Sequence, residues 1–575
     1  MAARLTAYVV VGIVAATLIA GLIVGAQRDD TDGLVDVIVH NAKLYTAGTD
    51  GTMAEAVAIR GNQVLRVGSE REVMRLRRPQ TTMIDAKGAA VLPGFNDAHV
   101  HFLDGGLNLD RIDLAGADTL DEMQSRIRTW AADHTDSPWV LGRGWYYQAF
   151  PGGLPTRQQL DAIVPDRPAY LIGHDGHTAW INTKALRLAR ITKKTPNPPG
   201  GLIVKDPRTA EPTGVLEEAA MALVSSLVPQ ATRADRTAAL RSAISEAQRQ
   251  GITSVQNASG NIEDFELYAA AGREGDLGVR VYSALSTTGV LAEPAIAELD
   301  TLMKRYPDDP LFKAGAIKIV LDGAIEAQTA AMLAPYTSGT ASSAPAIDPD
   351  EFNRMVRLLD ARGWQVLTHA SGDRAVNMAL TAYEHAVRSN PPPARGRRHR
   401  VEHVETVDPT DLPRFGALGV IASMQPYDGS PSRIDMWLEN VGPERASRGW
   451  PYGSIAAGAG RLAFGTDWPL APLNPLLGLH TAVTRTTPDG LPEGGWYPGE
   501  RLALEAAIDA YTSGAAWASF DERRKGTLAA GMLADLVVLS EDIFEAPASR
   551  LASTRVDVTI FDGRIVYRRN GATTN

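Results

Sequence analysis

The chain contains no cysteine. That absence removes disulfide frameworks, thiolate metal sites and cysteine nucleophiles together. Positive charge is not in excess either: 57 Lys and Arg stand against 67 Asp and Glu, for a formal net charge of −10. This is the wrong sign for a protein whose main partner is nucleic acid. No G-x-G-x-x-G run follows the first strand of the central region, which argues against a dinucleotide-binding, doubly wound sheet. Internal repeats and low-complexity tracts are also missing.

What remains is the composition of a globular protein. With 575 residues, 44% apolar and 22% charged, the chain can bury large cores and is too long for one ordinary domain. Its one long uncharged run is at the start, the 22 residues 5–26. As a helix this run would measure about 33 Å, enough to cross a bilayer. Arg4 before it and Arg28-Asp29-Asp30 after it predict a signal-anchor over 1–27, with the catalytic part extracytoplasmic. Val24-Gly25-Ala26 offers the alternative of a cleaved signal and a secreted or periplasmic protein, and a buried helix is the third reading.

Short β-prone runs separated by turn residues fill 34–88 and recur over 525–570, where Asp562-Gly563 makes a hairpin turn. Neither end supplies enough strands alone. Together they predict a composite β-sandwich, against the alternative of two unrelated β patches. Between them, apolar strands at 91–97, 251–255, 279–282, 316–320, 365–369, 399–403, 419–423 and 462–467 alternate with helices. Asp348-Pro349-Asp350-Glu351 starts one such helix and Gly363 stops it; Gly251 stops another over 233–250. Eight strands alternating with helices predict an α/β fold of the (β/α)8 TIM type over 89–102 and 251–524, with chemistry at the C-terminal strand ends. Residues 103–250 are too many for one βα unit and read as an insertion placed as a lid over the site.

His99 and His101, in Pro93-Gly94-Phe95-Asn96-Asp97-Ala98-His99-Val100-His101, point to one side if the strand continues. Alone, such a pair is more often a surface feature. The distribution of the other ligand-type residues changes the reading: Lys318, His369, His403 and Asp467 fall on or at the ends of the other strands. Six such groups on apolar strands point to a divalent metal site of one or two ions. With nitrogen and oxygen donors only, zinc is favoured, and manganese, iron or nickel are possible. A lone buried ammonium at Lys318 is costly. It is either a neutral amine carbamylated to bridge two metals or a partner of Asp322.

The chain resembles the amidohydrolase superfamily, and within it the amidohydrolase-3 (YtcJ-like) family, over roughly 34–570. The resemblance rests on PGFNDAHVH, DGHTAWINTKAL at 175–186, TPNPPGG, PTGVLEE, GITSVQ, IKIVLDG, THASGDRAV, RHRVEHVE, SMQP, FGTDWP and AGMLADLVVL. It implies a metal-bearing barrel that hydrolyses amide or related C–N bonds, with metal contacts at His99, His101, Lys318, His369, His403 and Asp467. Asp175 and His177 would face substrate. The sequence departs from the family after the strand-4 Asp-Gly: a neutral Gln328 stands where an arginine is frequent, beside an acidic Glu326. That puts an anionic substrate in doubt and lets Glu326 replace Lys318 as a carboxylate ligand. Glu405 stands where glutamine is frequent.

In this reading a metal lowers the pKa of bound water from 15.7 towards ~7. Asp467 is the general base and then acid, His177 a donor to the oxyanion, and Gln425 reaches the pocket mouth. Asp373-Arg374 is expected to be a structural pair. The expected partner is a small molecule. Oligomeric state is not legible. A lyase or isomerase on the same barrel, and a membrane-tethered protein without catalysis, are the alternatives.

Overall fold

The computed structural model describes residues 35–48, 51–150, 152–173, 176, 178–287, 289–337 and 343–570. At its centre are eight parallel strands: β1 (Phe95–Val100), β2 (Ile252–Gly260), β3 (Arg280–Thr287), β4 (Phe312–Val320), β5 (Gln365–Ala370), β6 (Arg400–His403), β7 (Ile421–Met424) and β8 (Arg461–Phe464). They pair in sequence order from β1 to β8. The ring is completed just beyond the strands. Asp467 N–H donates to the His99 carbonyl at 2.8 Å, and His101 N–H to the Trp468 carbonyl at 2.8 Å. The (β/α)8 core expected from the alternation is present.

Helices form the outer layer, and their ends follow local chemistry. In chain order the four that matter here are α1 (Phe102–Leu109), α2 (Arg233–Arg249), α3 (Pro349–Ala361) and α4 (Asp373–Ser389). The Asp348 carboxylate accepts from the Asp350 and Glu351 N–H groups, Pro349 opens α3, and Phe352, Met355 and Leu359 bury its inner face. Thr232 and Asp235 form a capping box at the start of α2. Gly251 ends α2 with φ +75°, where a Cβ would press on Val537 at 2.7 Å. Although α2 falls within 103–250, it packs with α1 and β2 in the barrel core through Leu240, Ala243 and Ile244.

Strands from both ends of the chain share one six-stranded sheet. Its seam is Leu536–Leu539 antiparallel to Ala90–Pro93, with Val537 opposite Leu92. A four-stranded sheet of N-terminal strands packs on it, and Val39, Leu44, Ile59, Leu536 and Ile560 fill the space between. Pro93-Gly94 carries the chain from this sheet into β1, where a Cβ on Gly94 would collide with the Thr253 side chain. A second six-stranded sheet forms between α1 and α2, from Ile112–Asp113, Val140–Trp145, Ala169–Gly173, Thr178–Ile181, Pro212–Glu218 and Gly201–Lys205. It has apolar clusters of its own around Trp145 and Trp180, and around Tyr170 and Leu216. It is therefore a folded unit inserted into the barrel.

The membrane placement has to be corrected. The expected anchor at 1–27 lies outside the described residues, and among the described residues no helix is long and apolar enough to cross a membrane. An apolar helix such as Pro475–Thr484, with 10 residues, spans about 15 Å against a hydrocarbon core of about 30 Å. The apolar residues of the described chain are instead those of barrel strands and one-sided helices. The membrane-bound, extracytoplasmic placement has no support in the structure.

A buried ion pair joins the barrel to the terminal sheet. Arg280 at the start of β3 donates to Asp535 at 2.6 and 3.0 Å and to Asp562 at 2.8 Å. Its side chain and that of Asp535 are each 4% exposed. Removing one partner of such a pair leaves a buried charge unmatched, at a cost of about 3 to 5 kcal/mol. Arg280→Leu is therefore expected to lower the urea midpoint by the equivalent of that amount. An unchanged midpoint would show that other contacts hold the two parts together.

Candidate functional site

The site forms where β1 meets β8. Asp97 is fully buried, and its carboxylate accepts from Thr466 N–H at 2.9 Å, Thr466 Oγ1 at 2.6 Å and His99 N–H at 3.2 Å. Together with the two backbone bonds that close the barrel, this fixes Asp467 opposite the β1 histidines. His99 is on the strand, whereas His101 has left it and begins the turn into α1 (φ −105°, ψ 72°). Asp467, His403 and Val404 hold left-handed backbone, with φ of 57°, 73° and 54°. Non-glycine residues adopt that region at a cost of order 1 to 3 kcal/mol each, and such strain concentrates at functional sites.

The six expected ligands converge. Asp467 Oδ1 lies 3.0 Å from His101 Nε2 and 3.6 Å from His99 Nε2, and Asp467 Oδ2 is 3.9 Å from His403 Nδ1. The ring centroids of His369 and His403 are 4.3 Å apart, and those of His99 and His403 4.9 Å. Lys318 Nζ is 3.3 Å from His99 Nε2. Among them His99, His101 and Asp467 present ligand atoms all within 4.8 Å of one another.

Burial decides the charges. It pushes His99 down to about 4 and His369 to about 3, holds His403 well below its ordinary value, and lowers Lys318. Burial acts to raise Asp467, but the neighbouring His99 and His101 outweigh it and keep the carboxyl far below its usual range. The result is that His99, His369 and His403 resist protonation beside a carboxylate that resists it too. Asp467 Oδ1 is buried and takes no hydrogen bond, although His101 Nε2 is close. Lone pairs gathered without donors are unfavourable unless a cation accepts them, and nitrogen and oxygen donors suit a first-row ion. These residues fit a divalent metal.

Two supporting residues escaped the sequence reading. Glu402, fully buried, binds His99 Nδ1 at 2.6 Å and is held by Arg400 through Nε–Oε1 and Nη2–Oε2 contacts of 2.8 Å each. It fixes the ring so that Nε2 faces the other ligands, as carboxylates behind metal-bound histidines do. Asp97 is the other. Both signals were present as two-residue spacings, Asp97 with His99 and Arg400 with Glu402, each pair sharing a strand face.

Asp322 is not the partner of Lys318. It accepts from the N–H groups of Ala331, Ser371 and Gly372 at 2.9 to 3.1 Å. Glu326 lies beside Glu405 and Asp428. Burial and the Glu326 charge push Glu405 well above its ordinary value, and its Oε2 has no hydrogen-bond partner. Gln328 is exposed and donates to Asn440 Oδ1 at 2.9 Å. Gln425 is 2% exposed, with Nε2 unpaired. Asp373 and Arg374 form no ion pair with each other among the described residues; Asp373 accepts from Leu333 N–H at 2.7 Å. Asp175 and His177 lie outside the described residues.

Comparison with known proteins agrees with the fold. The sequence model of the family described as "Amidohydrolase family" matches residues 82–567. Protein LONG AFTER FAR-RED 3 of Arabidopsis thaliana is 31% identical over 93% of this chain and 92% of its own length. An N-substituted formamide deformylase of Arthrobacter pascens is 28% identical over 93% and 99%. The crystal structure of an uncharacterized metal-dependent hydrolase from Pyrococcus furiosus superposes with a TM-score of 0.69 at 27% identity, covering 87% of this chain and 97% of that one.

Purified protein is expected to hold at least one stoichiometric transition ion, measured by plasma mass spectrometry. Glu402→Gln should weaken retention against a chelator by roughly 10- to 100-fold, the usual effect of losing a histidine's supporting carboxylate. Protein free of transition metal that takes up neither zinc nor manganese would refute the assignment.

Proposed function

The chain belongs to the amidohydrolase family, and from that premise we propose that it is a metal-dependent hydrolase cleaving a non-peptide C–N bond, of amide or N-formyl type, in a small molecule. The observation that carries the proposal is Asp467: a buried carboxylate held below its usual range, with one oxygen unpaired, beside His99, His101 and His403. The formamide deformylase relative supports the choice of bond.

His99, His101, His369, His403 and Asp467 would hold one or two divalent ions, with zinc favoured by the donor types. When bound, such an ion polarises the substrate carbonyl and makes water acidic enough to react near neutral pH. Asp467 accepts the proton of the attacking water as the C–O bond forms. It returns that proton to the nitrogen as the C–N bond breaks, so the amine leaves neutral. Glu402 keeps His99 in one tautomer throughout. Burial lowers Lys318, and in its neutral form the amine can add carbon dioxide with loss of a proton, giving a carboxylate beside His99. The inserted sheet would act as the lid.

Asp467→Asn preserves shape and removes most of the basicity. On any N-formyl or amide substrate that the parent cleaves, the variant should lose roughly 10² to 10⁴ in kcat while keeping its fold and most of its metal. Turnover within about threefold of the parent, well short of that range, would remove Asp467 from the proton path.

A further inference from the structure

We propose that a second site, on the face of the barrel away from the metal ligands, binds a small multivalent anion, a phosphate ester or a polycarboxylate. It is independent of the hydrolase reading, since it shares no residue with the ligand set.

The site is a cleft of about 870 Å³, within the size of ordinary small-molecule pockets. Four stretches of chain, distant in sequence, build it. They are the end of the helix Glu293–Arg305 with the loop that follows, the end of α3, the loop before β6, and residues 520–524 after the helix Ser513–Ala518. The first three stretches lead into β4, β5 and β6, so the cleft faces the N-terminal ends of those strands. The metal ligands stand towards the other ends. Lys313, which lines the cleft, and Lys318 are both on β4, about 16 Å apart at the rise of a strand.

Seven basic side chains line the cleft against three acidic ones, in a chain whose net charge is −10. The acids are already engaged. Glu522 takes Arg398 through contacts of 2.7 and 2.8 Å, Asp308 takes Lys313 at 3.2 Å as well as Arg524, and Asp300 lies 3.8 Å from Arg362. Three cations are left over. Lys304 and Arg523, both exposed, have no hydrogen bond or ion pair among the described residues. Arg395 is half-buried, yet among the described residues its guanidinium donates only to backbone carbonyls, those of Gly315 and Gly363. It lies 4.3 Å from the Phe520 ring centroid, and Arg398 shares that ring at 4.6 Å. β4 makes room for it: Gly315 is an extra residue between those paired with Ser283 and Ala284, and it has φ +143°. A Cβ there would meet Arg395 Nη1 at 2.7 Å. A guanidinium seated by neutral partners keeps its charge for a ligand, and two exposed cations in the same cleft make a site for more than one negative charge. Walls of one sign also draw anions in from solution.

The test is calorimetric titration of the metal-loaded full-length protein at low salt with fructose 1,6-bisphosphate, propane-1,2,3-tricarboxylate and uncharged fructose. At least one of the anions is expected to bind roughly tenfold or more tightly than fructose, the effect of charge-assisted contacts. The tighter of the two gives the chemistry of the anion. The double variant Lys304→Gln with Arg523→Gln removes two exposed, unpaired charges and should keep its fold. It is expected to weaken that anion roughly tenfold, the effect of losing two partly screened contacts. Equal binding of all three probes, no binding of either anion at millimolar concentration, or an unchanged affinity in the double variant would overturn the proposal. The last of these would put the anion elsewhere, the metal included. Hydrolysis does not enter the readout, so a failure of the hydrolase reading leaves the second site standing.

Discussion

Everything at the site depends on how the barrel closes between its first and last strands. An open edge there would leave backbone donors and acceptors unpaired. The chain resolves this with two backbone bonds just past the strand ends and one buried carboxylate, Asp97, that gathers the Thr466 amide, the Thr466 hydroxyl and the His99 amide. Burial pushes the Asp97 carboxyl up to about 7, and these three donors work against it. The same seam sets the distance from Asp467 to His99 and His101. Closure of the fold and assembly of the ligand set are one structural event.

The centre of the barrel is an unusual place for charge, and the structure shows how it is tolerated. Arg400 is fully buried and gives its donors to Glu402, Gln256, Ser423 and the Ala98 carbonyl. Glu402 thereby stays ionised, well below the usual carboxylate range, despite burial that acts to raise it. Such a network is weak evidence for stability, because desolvation offsets much of the Coulomb gain. Its evident consequence is orientation: a rigid, ionised Glu402 holds one nitrogen of His99 and leaves the other for a cation. Left-handed backbone at His403, Val404 and Asp467 has the same character. Locally unfavourable geometry persists because the surrounding barrel over-determines it.

The fold was legible because its signals are local and repeated. Apolar β-prone runs, Gly251 and Gly363 as helix stops, and Asp348-Pro349 as a helix start each act over a few residues. Histidines, a lysine and an aspartate on such strands were legible by type and position. Pairings were not. Adjacent Asp373 and Arg374 look like an ion pair, but successive residues at a helix start diverge, and the carboxylate turns to Leu333 N–H instead. Lys318 and Asp322 look like partners along one strand, but the strand ends at Val320 and three backbone amides claim Asp322. Glu402 was hidden because a charge facing a barrel interior has the same two-residue rhythm as one facing water.

The inserted sheet was the least legible part, since its packing depends on residues far apart in the chain. The division of labour follows from this. The ends of barrel strands can supply a conserved type of chemistry because their geometry is tied to closure, and changing it would open the seam. The insertion has its own apolar clusters around Trp145 and Trp180 and around Tyr170 and Leu216, so its surface can vary without disturbing the barrel. A family resemblance that includes the strand ends speaks to the ligand set and the fold, and does not by itself name a substrate.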